Sequence, residues 1–344
     1  MPEMNHILRK MSILVVSFSR MARPFILCIG GATQDVFIRS HALEEHHDDT
    51  SPDGIAACFL MGSKMAIDEL TFASGGGATN AAVTFARFGF KTACIIRLGK
   101  DQIGGQILED LKREKIETGF VQTDPKEKTA YSVILLSGTG HRAIFTHRGA
   151  SQKLDASAFP WHHWSKRLGR GKIGDWIYLT SLGGDLRALK DIFEHAKRSK
   201  TKIAWNPGNM ELKKGLKTLK PFIEQCEIFS VNKEEADVLG GWNALASLPG
   251  GAFLMTMGQQ GAMVRGGKKT WRANALKARR VNTTGAGDAF GSAFTAAWIK
   301  TGDVRMSFAA AMLNATGVIG HMGAKAGILK RFPTASVLKK VKIT

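Results

Sequence analysis

Cysteine is scarce and scattered. Cys28, Cys58, Cys94 and Cys226 form neither a CxxC pair nor a Cys/His cluster, which argues against a zinc site and a disulfide framework and favours a reducing, cytoplasmic compartment. No apolar run approaches the length a bilayer requires, so no membrane partner is expected. Neither an internal repeat nor a biased linker interrupts the chain. Acidic residues are few, 29 against 48 lysines and arginines, leaving a formal net charge of +19. Such a surplus attracts anionic ligands. The basic clusters nevertheless lack the interleaved aromatics of nucleic-acid platforms, and a solvated basic surface is the simpler account.

What remains is an ordinary globular composition, 344 residues with 44% hydrophobic, enough for one large α/β core or two domains. The start, MPEMNHILRKMSILVVSFSRMARP, carries only a short apolar run followed by Arg20 and Arg23 rather than a cleavage site. Residues 1–20 are therefore read as an extension, with the biological start expected at Met21. FILCIGGATQDVF reads as a buried strand broken by Gly30 and Gly31, then a polar edge carrying Asp35, and such strand ends are where open parallel sheets meet ligands. The His- and Asp-rich stretch from Arg39 to Phe72 reads as an insertion, with His46, His47, Asp48 and Asp49 in a mobile polar loop rather than a metal cluster. SGGGATNAAVTFARFG is a glycine turn entering a small-residue helix that stops at Gly89. Strand–helix alternation follows, interrupted by a hairpin from about Gly119 to Thr146. The expected organisation is an α/β core over 21–36, 74–118 and 147–344, with a β lid over 37–73 and 119–146.

Four polar turns carry the candidate chemistry. In NTTGAGDAFGSAF, Gly285 and Gly287 permit a tight turn whose amides can approach a phosphate at a helix start. Asp288 beside them suits a general base, although a glycine turn with an Asp is also an ordinary helix N-terminus. VNKEE sets Asn232 and Glu235 three apart beyond an apolar strand. The pair can organise Mg²⁺ through water or simply form a capping box. TMGQQG supplies Thr256, Gly258 and Gly261, either a nucleotide-lining turn or a plain β-turn. GGGATN places Gly75, Gly76 and Asn80 in reach of Asp35 as a hydroxyl-recognition set or as a close-packed turn.

The order of these pieces resembles the ribokinase, or PfkB, family of carbohydrate and nucleoside kinases over about Phe25 to Leu329. GGGATNAAVTFARFGFKTACIIRLGKDQIG looks like the family's N-terminal signature and VNTTGAGDAFGSAF like its C-terminal one, while NKEE and TMGQQG match its NxxE and TxGxxG elements. The resemblance implies a ribokinase-like three-layer α/β/α core, a mostly parallel central sheet and a small β lid. It implies an ATP-dependent kinase acting on a hydroxymethyl group of a sugar, with ATP and Mg²⁺. By position, Asp288 becomes the catalytic base and the amides of Gly285, Ala286 and Gly287 the anion hole. Asp35, Gly75, Gly76 and Asn80 hold substrate hydroxyls, and Glu235 organises Mg²⁺ through water. Asn232 touches ATP phosphates, Thr256, Gly258 and Gly261 line the nucleotide site, and Asn314 and Gly323 lie near the adenine. Lid strands of the family can pair between subunits, so the resemblance leaves a homodimer through the lid open as one assembly.

Asn282 stands where many members have an Asp that helps hold potassium, so the implication of a monovalent cation does not carry over. EEHHDDTSPDG has no family counterpart and lies where specificity is set; Lys64 and Asp68 nearby are weaker candidate contacts. Two alternatives stay open: a nucleoside kinase of the same family, and a non-catalytic nucleic-acid or regulatory binding protein using the basic charge.

Overall fold

The structure is a computed structural model describing residues 24–50, 54–58, 61–137, 141–159, 161 and 175–344. The extension over 1–20 and the expected start at Met21 lie outside the described residues. Strands are numbered along the chain. The central sheet contains β1 (Phe25–Ile29), β6 (Lys91–Ile95), β11 (Trp176–Leu179), β12 (Lys202–Trp205), β13 (Ile228–Asn232), β14 (Ala252–Thr256), β15 (Ala262–Gly266) and β16 (Lys269–Ala273). Their order is β16-β15-β14-β13-β12-β11-β1-β6, parallel from β14 through β6, with β15 and β16 antiparallel at one edge.

Strands buried on both faces read as continuous apolar runs, and FILCI in β1 is buried throughout. Its alternate side chains feed two cores. Ile26 and Cys28 join α1 (Gly77–Arg87), α2 (Gln102–Arg113), α5 (Ala286–Thr301) and α6 (Val304–Ile319), whereas Leu27 and Ile29 join α3 (Leu186–Ser199) and α4 (Gly215–Ile223). The result is a three-layer α/β/α core. Helix α5, apolar on nearly every side, is correspondingly enclosed by α1, α6 and the sheet.

A second sheet has the order β10-β9-β2-β5, from β10 (Arg142–His147), β9 (Tyr131–Leu136), β2 (Thr33–Arg39) and β5 (Glu69–Gly75). It takes in Thr33–Val36 and Ser74–Gly75, which the sequence reading gives to the core. Gly30 ends β1 at φ +143, and the chain re-enters extended backbone only three residues later in the other sheet. Two further pairs are separate: β3 (Glu44–His47) with β4 (Ile55–Cys58), and β7 (Arg97–Gly99) with β8 (Gln122–Asp124). His46 and His47 thus belong to a strand rather than to a loop, a correction that follows from their antiparallel pairing with Ala56 and Ile55.

Candidate active site

The turn before α5 fixes the first carboxylate. Gly285 is the N-cap residue at φ +81, and a Cβ there would lie 2.3 Å from the Cβ of Ala324. Only glycine seats this turn against the C-terminal loop. Asp288 then falls in the first turn of α5, where unpaired N–H groups and the helix dipole favour an anion. Nδ2 of Asn80, on α1, donates to Oδ2 of Asp288 at 2.8 Å. The other amide atom, Asn80 Oδ1, is buried without a hydrogen-bond partner among the described residues. Burial raises the Asp288 carboxyl above the ordinary range, opposed by the Asn80 bond and the charge of Lys325.

Asp35 forms the second pole. The chain leaves β1 toward β6 on one side and later returns to β11 on the other, so the C-terminal ends of β1 and β11 form a topological switch point. A cavity of about 150 Å³ opens there, lined in part by Gly31, Gly76, Ser132, Ser151 and Ser181. Beside it Asp35, on β2, is in register with Ala73 and Ser132 and only 4% exposed. A Cβ on Gly75 would come 2.1 Å from its Oδ2, so the glycine makes room for the carboxylate. Burial pushes the Asp35 carboxyl up to about 6 against the pull of the Ser132 hydroxyl and Lys325, and the charge of Asp288 adds to the rise. Gly76 caps α1 at φ +96, packed against the carbonyl of Gly31.

A larger cleft of about 610 Å³ adjoins the turn, and Asn232, Thr256, Gly258, Gly261, Ala286 and Gly287 line it. Asn232 and Thr256 are register partners at the C-terminal ends of β13 and β14. Asn232 also forms a capping box with Glu235: its Oδ1 accepts from Glu235 N at 2.7 Å, and Glu235 Oε2 accepts from Asn232 N at 2.8 Å. Glu234, next to Glu235 in the first turn of the helix that Asn232 caps, is among the residues lining the cleft. Burial raises the Glu235 carboxyl, and the charge of Asp288 adds to that rise.

Two expected nucleotide contacts are placed elsewhere. Asn314 is fully buried, its Nδ2 donating to Ala289 O and its Oδ1 accepting from Leu329 N, so it clamps α5, α6 and the C-terminal loop instead of facing the cleft. Gly323 packs against Ala73 at the root of β5. Asp68 accepts from the His41 backbone, and Lys64 is exposed. Buried Asn282 accepts from Thr284 N at 2.8 Å, a local Asx turn.

The sequence reading passed over two residues that the fold brings in. Arg142, on edge strand β10, lines the cleft and donates through Nη1 to Oγ1 of Thr283. Its signal was a basic residue beside a hairpin turn. Lys325 interacts electrostatically with both Asp35 and Asp288; its signal was a lysine set among small residues in GAKAG.

Among the described residues no group of three or more His, Cys, Asp or Glu could hold a metal unaided. Mg²⁺ keeps several waters and is bound largely through substrate phosphates. Burial and the charge of Asp288 both raise the half-buried Glu235 carboxyl, so a neighbouring cation would favour its ionised form, and the residues fit such an ion in that respect. No helix among them is long and apolar enough to cross a membrane.

A helix-start turn carrying a half-buried carboxylate, next to a cavity at a sheet switch point, is the arrangement of a phosphotransferase with an alcohol group as acceptor. The family model described as pfkB family carbohydrate kinase matches residues 52–331, and the chain belongs to that family. It is 26% identical over 255 residues to an uncharacterised sugar kinase of Archaeoglobus fulgidus, covering 71% of this chain and 97% of the relative. It is 25% identical over 255 residues to a ribokinase of Staphylococcus aureus, covering 70% and 80%. Among solved structures, an Arabidopsis thaliana ribokinase complexed with ribose and ATP superposes with a TM-score of 0.69 at 20% identity, covering 93% of this chain and 98% of that one. A Burkholderia thailandensis nucleoside kinase in complex with inosine gives 0.69 at 20%, covering 92% and 96%. These likenesses establish the ribokinase-like fold.

Proposed function

We propose that the protein transfers the γ-phosphoryl group of ATP to a hydroxymethyl group of a sugar. The observation that carries this reading is Asp288, set in the first turn of α5 and bonded to an Asn80 whose Oδ1 is left open. An acceptor hydroxyl can meet Asp288, which takes its proton, while neighbouring hydroxyls meet Asn80 Oδ1 and Asp35. The amides of Gly285 and Gly287, with that of Ala286 on release of its bond to Thr283 O, stabilise charge on the transferred group. Asn232, Thr256, Gly258 and Gly261 hold the nucleotide along the larger cleft. Mg²⁺, organised by Glu235 through water, supplies charge neutralisation on the phosphates when bound. Asn282 carries no charge and its Oδ1 already accepts from Thr284 N, so no potassium requirement is proposed.

The small sheet acts as a lid over the acceptor, with Arg142 reaching from it to the anion turn. Leu70, Phe72, Ile144 and Phe145 are about half exposed or more on this sheet, and that apolar surface supports a homodimer built through the lid. The setting is cytoplasmic.

A panel of sugars and nucleosides, read by ADP release with and without potassium, tests the reading. Turnover with a sugar, indifferent to potassium, is expected. Turnover with nucleosides alone would replace the acceptor. Absence of transfer to any alcohol, together with salt-sensitive oligonucleotide binding, would favour a binding protein instead.

A further inference from the structure

Glu211 belongs to none of the turns that carry the candidate chemistry, yet its side chain organises a wall of the smaller cavity. It stands in a single helical turn, Asn209–Leu212, beyond the C-terminal end of β12, and is only 1% exposed. Its partners are neutral donors from two turns. Oε1 accepts from the N–H of Leu182 at 2.7 Å and of Gly184 at 2.8 Å. Oε2 accepts from the N–H of Gly208 at 3.0 Å and from the Ser181 hydroxyl at 3.1 Å. A Cβ on Gly208 would lie 2.4 Å from Ser181 Oγ, so glycine is what lets the two turns meet. One carboxylate thus satisfies three backbone donors that would be costly to leave unpaired, and it fixes the loop that follows β11. Ser181 and Gly183 of that loop line the cavity of about 150 Å³, together with Gly31, Gly76, Ser132 and Ser151.

We propose that Glu211 is a positioning residue of the acceptor site, which locks this wall and sets the Ser181 hydroxyl to receive a hydrogen bond from a hydroxyl of the acceptor. The inference rests on the kinase reading for what occupies the cavity. A serine hydroxyl has one proton and two lone pairs. Ser181 gives its proton to Glu211 Oε2, and one lone pair takes the Gly183 N–H at 3.2 Å. A single lone pair is left for a ligand. Ser151 is committed in the same way from another segment: its Oγ donates to Ala32 O at 2.6 Å and accepts from Ala32 N at 3.2 Å. Both serines therefore offer the cavity acceptors and no proton. A group bound against them has to donate, as an alcohol does and as an ether oxygen or a fluorine does not. The carboxylate of Glu211 enforces this polarity at Ser181, because an amide in its place could donate to Oγ and free the serine proton.

The test sets wild type, Glu211→Gln and Ser181→Ala against the preferred acceptor and its monodeoxy and monofluoro analogues, with acceptor and ATP constants measured separately. In the wild type one deoxy analogue, and the fluoro analogue at the same carbon, should lose about tenfold or more in kcat/KM. Ser181→Ala should lose about tenfold with the parent acceptor and treat the parent and that deoxy analogue alike, since both changes remove one shared contact. Glu211→Gln should raise the acceptor KM about tenfold or more and leave the ATP KM unchanged, a split that general loosening of the fold would not produce. Equal losses toward ATP and acceptor in Glu211→Gln, or additive losses between Ser181→Ala and every deoxy analogue, overturn the proposal. Should Glu211→Gln not fold, additivity in Ser181→Ala overturns it alone. If the wild type phosphorylates no alcohol, the kinase reading falls and this inference with it. Wild-type turnover combined with additivity removes this inference and leaves that reading standing.

Discussion

Replacing Asp35 by Asn is expected to stabilise the unliganded protein while abolishing acceptor binding. The carboxyl titrates at about 6 in the fold, against an ordinary 3.8, an interval worth about 3 kcal/mol. Because this acid has a raised folded pKa, its contribution to stability is fully present below pH 3.8 and is lost as the pH rises through about 6. At pH 7.5 the protein thus carries a buried ionised carboxylate that costs up to about 3 kcal/mol. With Asp35 only 4% exposed, solvent screening calls for little discount. Asn is nearly isosteric and keeps a hydrogen-bonding oxygen for Ser132, so the substitution removes the charge without opening a cavity. Urea unfolding of both proteins at pH 7.5, 6, 5 and 4 measures the difference, with m unchanged. The gain should be largest at pH 7.5 and absent at pH 4. A less stable variant at pH 7.5, or a gain equal at every pH, would refute the assignment of the cost to ionised Asp35.

Three further outcomes are expected. Asp288→Asn keeps the Asn80 contact region and ATP binding but lowers kcat about a thousandfold or more, measured by ADP release, because the base and its charge are both removed. Gly285→Ala places a Cβ against Ala324 at a backbone of φ +81; it should lower Tm by an amount corresponding to about 1–3 kcal/mol and reduce turnover with it. Phe72→Glu puts a charge on the exposed face of β5, where Phe72 is 60% exposed. Light scattering should then give a monomer mass at concentrations where the wild type is dimeric, with the unfolding transition unchanged.

The parts of the site that could be read from sequence are those whose chemistry is local. Gly285, Gly287 and Asp288 share one turn, Gly75, Gly76 and Asn80 share another, and each turn ends an apolar strand pattern or begins a helix. Periodicity supplied the rest of the α/β core, because strands buried on both faces and helices buried on one leave different spacings. It did not supply the sheet to which residues 33–36 belong, since an extended backbone after Gly30 looks alike in either. Asn232 and Glu235 form the capping box that their spacing allows, and Asn232 also lines the larger cleft.

What could not be read is what depends on pairs remote in sequence. Asn314 in an apolar helix offers the same letters whether it meets a nucleotide or clamps three segments, and its partners Ala289 and Leu329 decide for the clamp. Lys325 and Ser74 are separated by 251 positions, and no local pattern marks either. Their meeting follows from two requirements already met elsewhere: Gly285 has no Cβ, so Ala324 can lie beneath it, and Gly323 at φ +86 turns the chain against Ala73. Once those two contacts are made, the next residue is directed to Ser74 near the end of β5. A side chain there without a donor would leave Ser74 Oγ, which itself donates to Asp110, without the ammonium that now anchors it. The glycines that make the turns readable therefore also determine where the unreadable lysine must stand.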